Sequence, residues 1–370
     1  MKKKVLGIFF TKDVSLELWD KLGILDRELK LLKELTGKTA VRKTVLFTYG
    51  GRDDLKYREI LPSNMELVIN KLSLPGFCYA FLIPFLNFKK INQLDIVRTI
   101  QFRGIVPAAI CKILLNKNFI LRCGFPRARG LKRTGRYFRY VLYKIAESIG
   151  FRLADVVVLT DKWAKKCIQE NYGIKDDKIF IVPNYIDTRL FAPSGKVKKV
   201  KDEVCFVGRL SPVKNLYSLI EAVDAFNGKL KIIGRGELER DLKDFAREKK
   251  ANVDFLGKID NSKLPGELKK SEYFVLPSFS EGQPKALLEA MACGLAAVGT
   301  DVPGIRTMIE DGVNGILCRT DSEAIARALR NLKDKPDLKE KLKANAREYV
   351  KDKYALKRVV QLENNDRLLG

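Results

Sequence analysis

The stretch that decides the fold is Tyr273-Phe274-Val275-Leu276-Pro277-Ser278-Phe279-Ser280-Glu281-Gly282-Gln283-Pro284-Lys285-Ala286-Leu287-Leu288-Glu289-Ala290-Met291-Ala292-Cys293-Gly294. Its opening residues are aromatic and aliphatic, the composition of a short buried strand. Glu281 to Pro284 cannot be regular structure, because Pro284 has no amide proton and Gly282 is free to take positive φ. Ala286 to Ala292 are strong helix formers, with Pro284 expected in the first turn and Gly294 as the stop. Strand, loop and helix in this order build open parallel α/β sheets, where ligands bind at the carboxyl ends of strands. A helix N-terminus carries unpaired N–H groups and a partial positive charge, so this one offers an anion site with Glu281 at its mouth and Glu289 farther inside. A surface helix with two solvated glutamates has the same residue types; the strand immediately before the loop is what favours a site.

The same alternation continues outward. The chain has 370 residues, 46% of them hydrophobic, enough for two ordinary domains. In the first half the apolar runs predict strands at Val5–Phe10, Val41–Thr48, Met65–Ile69, Ile96–Arg98, Phe119–Arg122 and Val156–Thr160. Helices are predicted near Leu16–Leu35, Val106–Leu115 and Lys162–Asn171. Val182 to Asp187 reads as a last strand or turn, and the lysine-rich stretch Pro193 to Lys201 as a linker. Strands resume at Val204–Val207, Lys229–Ile233, Asp254–Leu256, Tyr273–Leu276, Ala296–Gly299 and Gly315–Cys318. This βαβ pattern, met twice, predicts an α/β protein of two Rossmann-like, doubly wound parallel sheets facing each other across a cleft. The expected boundaries are 1–188, 189–345 and a helical tail, 346–370.

Composition narrows the chemistry. Histidine is absent, which removes the usual general base, zinc ligand and serine-triad partner at once. Seven scattered cysteines, with no Cys-x-x-Cys pair, argue against a disulfide framework and for a reducing cytoplasm, and offer no zinc site. The N-terminal Lys2-Lys3-Lys4 followed by Val5 to Phe10 imitates a leader peptide, but the apolar run stops at Thr11-Lys12-Asp13 and suits a buried strand better. The longest apolar run, Phe77 to Leu86, is interrupted by Pro84 and is too short to span a bilayer.

Charge is uneven. Residues 1–190 hold 36 basic and 18 acidic side chains, within a net +25 for the chain. No acid occurs between Ile96 and Ala146, whereas Arg98, Arg103, Lys112, Lys117, Arg122, Arg127, Arg129, Lys132, Arg133, Arg136, Arg139 and Lys144 are basic. Such a block implies an anionic partner, and nucleic acid, an anionic membrane surface and a phosphorylated acceptor all fit. In Arg127 to Ile149, aromatic and aliphatic residues interleave with basic ones, suiting an amphipathic helix on lipid head groups or a core-packing helix with a basic outer face. Phe77 to Phe88, ending in Lys89-Lys90, adds weight to membrane contact. No recognition helix or paired aromatic strand motif supports nucleic-acid binding.

Two more elements in the second half fall at strand ends. Val204 to Asn215 is a strand, a glycine turn at Gly208, then Arg209 and Lys214, a fixed fork and a mobile point charge suited to a diphosphate. Leu230 to Glu237 is a strand ending in Gly234-Arg235-Gly236, where a ligand could approach the backbone.

Together, Gly208-Arg209-Leu210…Lys214-Asn215, Gly234-x-Gly236-Glu237 and Ser280-Glu281-Gly282…Glu289-Ala290-Met291-Ala292-Cys293-Gly294 resemble the retaining family 4 glycosyltransferases, glycosyl transferases group 1, of the GT-B fold. The resemblance spans roughly Ala154 to Gly315, including Asn184-x-Ile186-Asp187. It implies a nucleoside-diphosphate sugar, UDP- or GDP-linked, held mainly by the second domain, and an acceptor held mainly by the first. It implies that Arg209 and Lys214 clamp the diphosphate, Glu281 meets the donor sugar's hydroxyls and Glu289 holds the ribose. Gly208, Gly234, Gly236, Gly282, Gln283 and Lys285 complete the implied donor-binding set. It also implies that the last helix crosses back to the first domain.

The first half departs from the family. The expected Gly-Gly loop after the first strand reads Thr11-Lys12-Asp13-Val14-Ser15, and the expected histidine place reads Arg122-Cys123-Gly124. Retention needs no protein base if the leaving phosphate takes the acceptor's proton. No Asp-x-Asp pair stands at a strand end, so no essential metal and no tightly bound cofactor are expected. The expected protein is a cytoplasmic, membrane-peripheral glycosyltransferase with a glycan, lipid-linked or phosphorylated acceptor. A soluble sugar or sugar-phosphate transferase, and a nucleic-acid-binding protein on a catalytically inactive two-domain scaffold, are the alternatives.

Overall fold

A computed structural model describes residues 3–37, 40–124, 126, 137–195, 197–365 and 368. The chain divides into two compact units, Met1–Pro183 with Val360–Gly370, and Asn184–Val359.

The first unit is wound around parallel strands with helices between them. Its strands are β1 (Lys4–Phe9), β2 (Val41–Phe47), β3 (Met65–Val68), β4 (Ile96–Thr99), β5 (Asn118–Cys123), β6 (Val156–Leu159) and β7 (Ile179–Ile181). They lie in the order β3-β2-β1-β4-β5-β6-β7. Winding runs outward in both directions from the β1–β4 pair, so the direction of winding reverses between those two strands. The helices are α1 (Leu16–Lys21), α2 (Leu25–Leu35), α3 (Gly76–Leu86), α4 (Phe88–Asn92), α5 (Ile105–Leu115), α6 (Tyr137–Leu153) and α7 (Lys162–Tyr172).

Three local readings are corrected. The single helix expected over Leu16–Leu35 is two, broken where Gly23 takes φ +63°. Helix α3 was not predicted, because it is apolar all round and contains Pro84; Tyr79, Ala80 and Ile83 are buried while Phe77, Phe81 and Phe85 are exposed. The basic block is also not one surface. Arg98 and Arg122, on β4 and β5, turn inward to Glu363, and Lys112 pairs with Asp155 at 2.7 Å. Residues Arg127 to Arg136 lie outside the described residues.

The second unit repeats the scheme with β8 (Glu203–Val207), β9 (Lys229–Ile233), β10 (Val253–Gly257), β11 (Tyr273–Leu276), β12 (Ala296–Thr300) and β13 (Ile316–Cys318), ordered β10-β9-β8-β11-β12-β13. Every pairing in it is parallel, and near-continuous Val, Ile, Leu and Phe fit strands covered on both faces. Its helices are α8 (Leu216–Ala225), α9 (Glu239–Glu248), α10 (Leu264–Leu268), α11 (Lys285–Ala292), α12 (Pro303–Arg306), α13 (Ser322–Asp334) and α14 (Pro336–Tyr354). Here the winding reverses between β8 and β11. Helix α15 (Leu356–Glu363) carries the chain from the second unit into the first.

That last helix is fixed by charge. Glu363 is 1% exposed and accepts from Arg98 at 2.6 and 2.7 Å and from Arg122 at 2.9 Å. Burial alone would raise the Glu363 carboxyl; the guanidinium charges of Arg98 and Arg122 outweigh it and hold the group below the usual carboxylate range.

Candidate functional site at the switch point of the second unit

Parallel sheets bring the loops that follow their strands to one edge, and the crevice opens where winding reverses. In the second unit that place is the β8–β11 pair, followed by residues 208–215 and 277–284. Lys214 and Glu281, 67 positions apart, meet there as an ion pair, with side chains 17% and 10% exposed. Ser278 Oγ donates to the same carboxylate at 2.6 Å. A cation and a hydroxyl therefore meet at one carboxylate oxygen, Glu281 Oε1.

The loops are held to each other by a few specific bonds. Asn215, at φ +54°, sends its side-chain amide to the carbonyls of Pro277 (3.1 Å) and Thr320 (2.7 Å), joining the loops after β8, β11 and β13. Phe279 N–H donates to Val213 C=O at 2.9 Å, and Thr300 Oγ1 to Ser278 C=O at 2.6 Å. Gly304 lets α12 approach the Glu281–Gly282 backbone, since a Cβ there would lie 2.2 Å from the Glu281 carbonyl oxygen. Gly304 thus shapes the site.

Glycine is equally required on the β8–β9 side. Gly234 has φ +141°, and a Cβ on it would lie 1.8 Å from the Gly208 carbonyl oxygen. A Cβ on Gly236 would lie 2.1 Å from the carbonyl oxygen of Leu210. The two loops touch backbone to backbone, and no side chain fits between them. Arg209 follows Gly208 on the surface of this layer and is exposed.

Pro284 is the N-cap of α11, in extended conformation (φ −70°, ψ 111°), one residue earlier than its expected place in the first turn. Proline has no side-chain acceptor to cap the helix, so the partial positive end of α11 follows directly on the Glu281 loop. Glu289 is 2% exposed and accepts from the Asn261 side chain at 3.0 Å. Gln283 accepts from the Asn184 N–H at 2.6 Å, and its own carbonyl accepts from the Asn184 side chain at 3.2 Å. The Lys285 ammonium lies 5.8 Å from the Tyr185 ring centroid. Cys293, just past α11, offers no thiolate, because burial pushes its thiol up to about 12.

Of the residues picked out from sequence, Lys214 joins Glu281, and Gly208 joins Gly234. Glu289, Gln283 and Lys285 have partners of their own. Asn261, Ser278 and Asn184 were not singled out as site residues. Ser278 stands three residues before Glu281, a spacing that suits a short side-chain bridge; Asn184 falls in the Asn184-x-Ile186-Asp187 stretch of the resemblance, where it was given no role, and nothing local marks Asn261.

Residues 188–349 match the model of the family described as glycosyl transferases group 1. An uncharacterized glycosyltransferase of Methanocaldococcus jannaschii, MJ1069, is 32% identical over 238 residues, covering 60% of this chain and 60% of that protein. The UDP-Gal:alpha-D-GlcNAc-diphosphoundecaprenol alpha-1,3-galactosyltransferase of Escherichia coli is 30% identical over 187 residues, 45% of this chain and 48% of that one. The matches thus span less than two thirds of either relative. Among solved structures, sucrose-phosphate synthase (tll1590) from Thermosynechococcus elongatus superposes with a TM-score of 0.82 over 97% of this chain and 96% of that one, at 16% identity. That likeness over nearly the whole length is one of fold, GT-B, while the match to the glycosyl transferases group 1 lies within the second unit.

Proposed function

We propose that the chain is a retaining family 4 glycosyltransferase that moves a sugar from a UDP- or GDP-sugar to a lipid-linked or other glycan acceptor. The observation that carries this reading is the Lys214–Glu281–Ser278 cluster at the β8–β11 switch point, in the loop that leads into α11. A departing diphosphate gathers negative charge, and preorganised donors lower its energy most in the transition state. Arg209 and Lys214 take that role, with the α11 N–H groups adding to it. Lys214 has three N–H donors, so it can hold Glu281 and a phosphate oxygen together.

Glu281 receives hydroxyls of the donor sugar. Glu289, buried and oriented by Asn261, accepts from the two ribose hydroxyls. Gly208, Gly234, Gly236 and Gly282 let the nucleotide approach the backbone, and Gln283 and Lys285 close its outer side. The bond between anomeric carbon and phosphate oxygen breaks, the acceptor oxygen bonds to that carbon on the same face, and the acceptor's proton passes to the released phosphate. No step in this scheme requires a metal.

The acceptor belongs to the first unit, and its lipid character rests on exposed apolar surface. On α6, Tyr137, Phe138, Leu142, Ile145 and Ile149 are exposed, Phe138 by 76%; on α3, Phe77 is exposed by 65% and Phe85 by 58%. Lys89 and Lys144 are exposed on the same elements or just after them. Aromatic and aliphatic side chains among lysines suit the interface of an anionic bilayer. None of the described helices is long and apolar enough to cross a membrane, so the contact is peripheral. Free cysteines throughout suit the cytoplasmic side.

The experiment is a thermal-shift panel of nucleoside diphosphates and their sugars, since a ligand of the folded state raises the midpoint by mass action. One base should stand out, and Glu289→Gln should give a smaller shift with it. No response to any nucleotide overturns the reading. Sedimentation with anionic vesicles tests the membrane half: Phe138→Asp with Ile145→Asp should leave the protein in the supernatant.

A further inference from the structure

The second unit has a cavity of about 350 Å³ at the carboxyl end of α11, the end opposite the Glu281 loop. Cys293 and Gly294 form one wall, and none of the residues assigned to the donor site lines it. The other walls come from the segment before β8, the end of α10 and one face of α14, and each brings cations: Lys199, Lys269, and Lys343 with Arg347. All of these residues belong to the one unit, Asn184–Val359. Two of the walls are tied together, since Val200 N–H donates to the Lys270 carbonyl at 2.7 Å and Lys199 Nζ to the Ser271 carbonyl at 3.0 Å.

Positive charge is in excess here. On α14, Lys339, Lys343 and Arg347 follow at spacings of four, so like charges line one face and repel. Burial holds the Lys199 ammonium below the ordinary lysine range, and Lys343 and Lys339 add to this, although Glu272 and Glu340 pull the other way. The charges of Lys269, Arg347 and Lys199 all reach the Cys293 thiol, so the three converge on one wall. Arg347 donates to the carbonyls of Phe191 at 2.6 Å and of Ala292 and Thr188 at 2.8 Å, which fixes its charge without neutralising it. Lys269 Nζ has no hydrogen-bond or ion-pair partner among the described residues. The two acids of the lining, Glu340 and Glu348, stand at the mouth, 64% and 62% exposed, where Lys343 and Lys351 hold them at 2.6 and 2.7 Å. Lys343 itself is 18% exposed, so cations lie inside and carboxylates outside.

We infer that this cavity binds a phosphate monoester with a sugar-sized, hydroxylated body. Lys199, Lys269 and Lys343 hold the phosphate oxygens, Lys343 through a donor that Glu340 leaves over. Pro193, Gly294 and Ala344 give the body a neutral wall, and the carboxylates at the mouth accept from its hydroxyls. The volume falls at the small end of ligand pockets, about 300–1,000 Å³. It is roughly ten times the 30 Å³ that one water occupies, so a bare phosphate would leave most of it to solvent.

The test is calorimetric titration of the full chain with glucose 6-phosphate, inorganic phosphate and glucose. Glucose 6-phosphate should bind, more weakly as salt rises, with inorganic phosphate at least about tenfold weaker and glucose giving no heat. Lys269→Met removes no bond of the folded chain, so it should keep the unfolding midpoint while affinity falls about tenfold or more; Lys269→Arg should restore most of the loss. Lys199→Met should lose affinity as well. Arg209→Ala should bind glucose 6-phosphate as wild type does, which separates this cavity from the donor site. Failure of the wild type to bind glucose 6-phosphate, equal affinity for inorganic phosphate, unchanged binding by Lys269→Met, or loss of binding in Arg209→Ala would each overturn the assignment. None of these outcomes touches the nucleoside-diphosphate response by which the transferase reading stands or falls.

Discussion

Lys214→Met tests the donor site most directly. The substitution keeps the length of the side chain and removes only the ammonium group. In the folded chain that group is the single ion-pair partner of Glu281 among the described residues, and Ser278 supplies the other bond at 2.6 Å. If Lys214 also receives the departing diphosphate, its loss removes one preorganised donor from a partly dry site. Such donors contribute about 3–4 kcal/mol, so turnover should fall roughly a hundred- to thousandfold while the fold persists. Glu281→Gln alone should also slow the reaction. Because the two side chains touch, the double variant should lose less than the sum of the singles, with a coupling of about 0.5–3 kcal/mol. The assay is single-turnover transfer from the sugar nucleotide named by the thermal-shift panel. A decrease below about fivefold for Lys214→Met, or strict additivity with Glu281→Gln, refutes the argument.

Three further outcomes follow from the geometry. Glu363→Gln leaves two buried guanidinium charges facing a neutral amide; the first unit should lose about 3–5 kcal/mol, read by urea unfolding. Because the Glu363 carboxyl is held below its ordinary value in the folded chain, its contribution is complete above that ordinary value of 4.5 and is lost as pH falls through the lower folded value; the variant should flatten the acid limb of the stability curve. Gly234→Ala forces a methyl to 1.8 Å from the Gly208 oxygen and strains φ +141°, so it should cost at least about 1–3 kcal/mol in the second unit and abolish nucleotide binding even where folding survives. Glu289→Gln keeps the shape and the Asn261 contact but halves the acceptor capacity; nucleotide affinity should fall about tenfold, seen by calorimetry.

The sheets were legible because their strands are apolar runs bounded by turn residues, as at Tyr273–Leu276 and Val156–Leu159, which signal burial on both faces. Helix α3 was not, since an all-apolar segment with an internal proline has no periodicity to read. Three residues of β7 are too few to carry a pattern. Arg98 and Arg122 looked like surface charge because their neutralising partner stands far along the chain at Glu363. At the site, the type and spacing of Glu281 and Glu289 were readable, as were the glycines that let loops meet. That Lys214 would reach Glu281, or Asn261 reach Glu289, depends on the order of strands in the sheet, which no local pattern encodes.

The ion triad of Arg98, Arg122 and Glu363 bears on how the molecule is made. A ribosome adds about 5–20 residues each second, so on the order of ten to forty seconds separate Pro183 from Glu363. During that interval the nascent first unit holds two inward-facing guanidinium groups without the Glu363 carboxylate that they pair with in the finished fold. Its completion waits on the synthesis of α15, and a ribosome stalled before that helix would leave the seven-stranded sheet complete but without its last packing element, exposed to proteolysis.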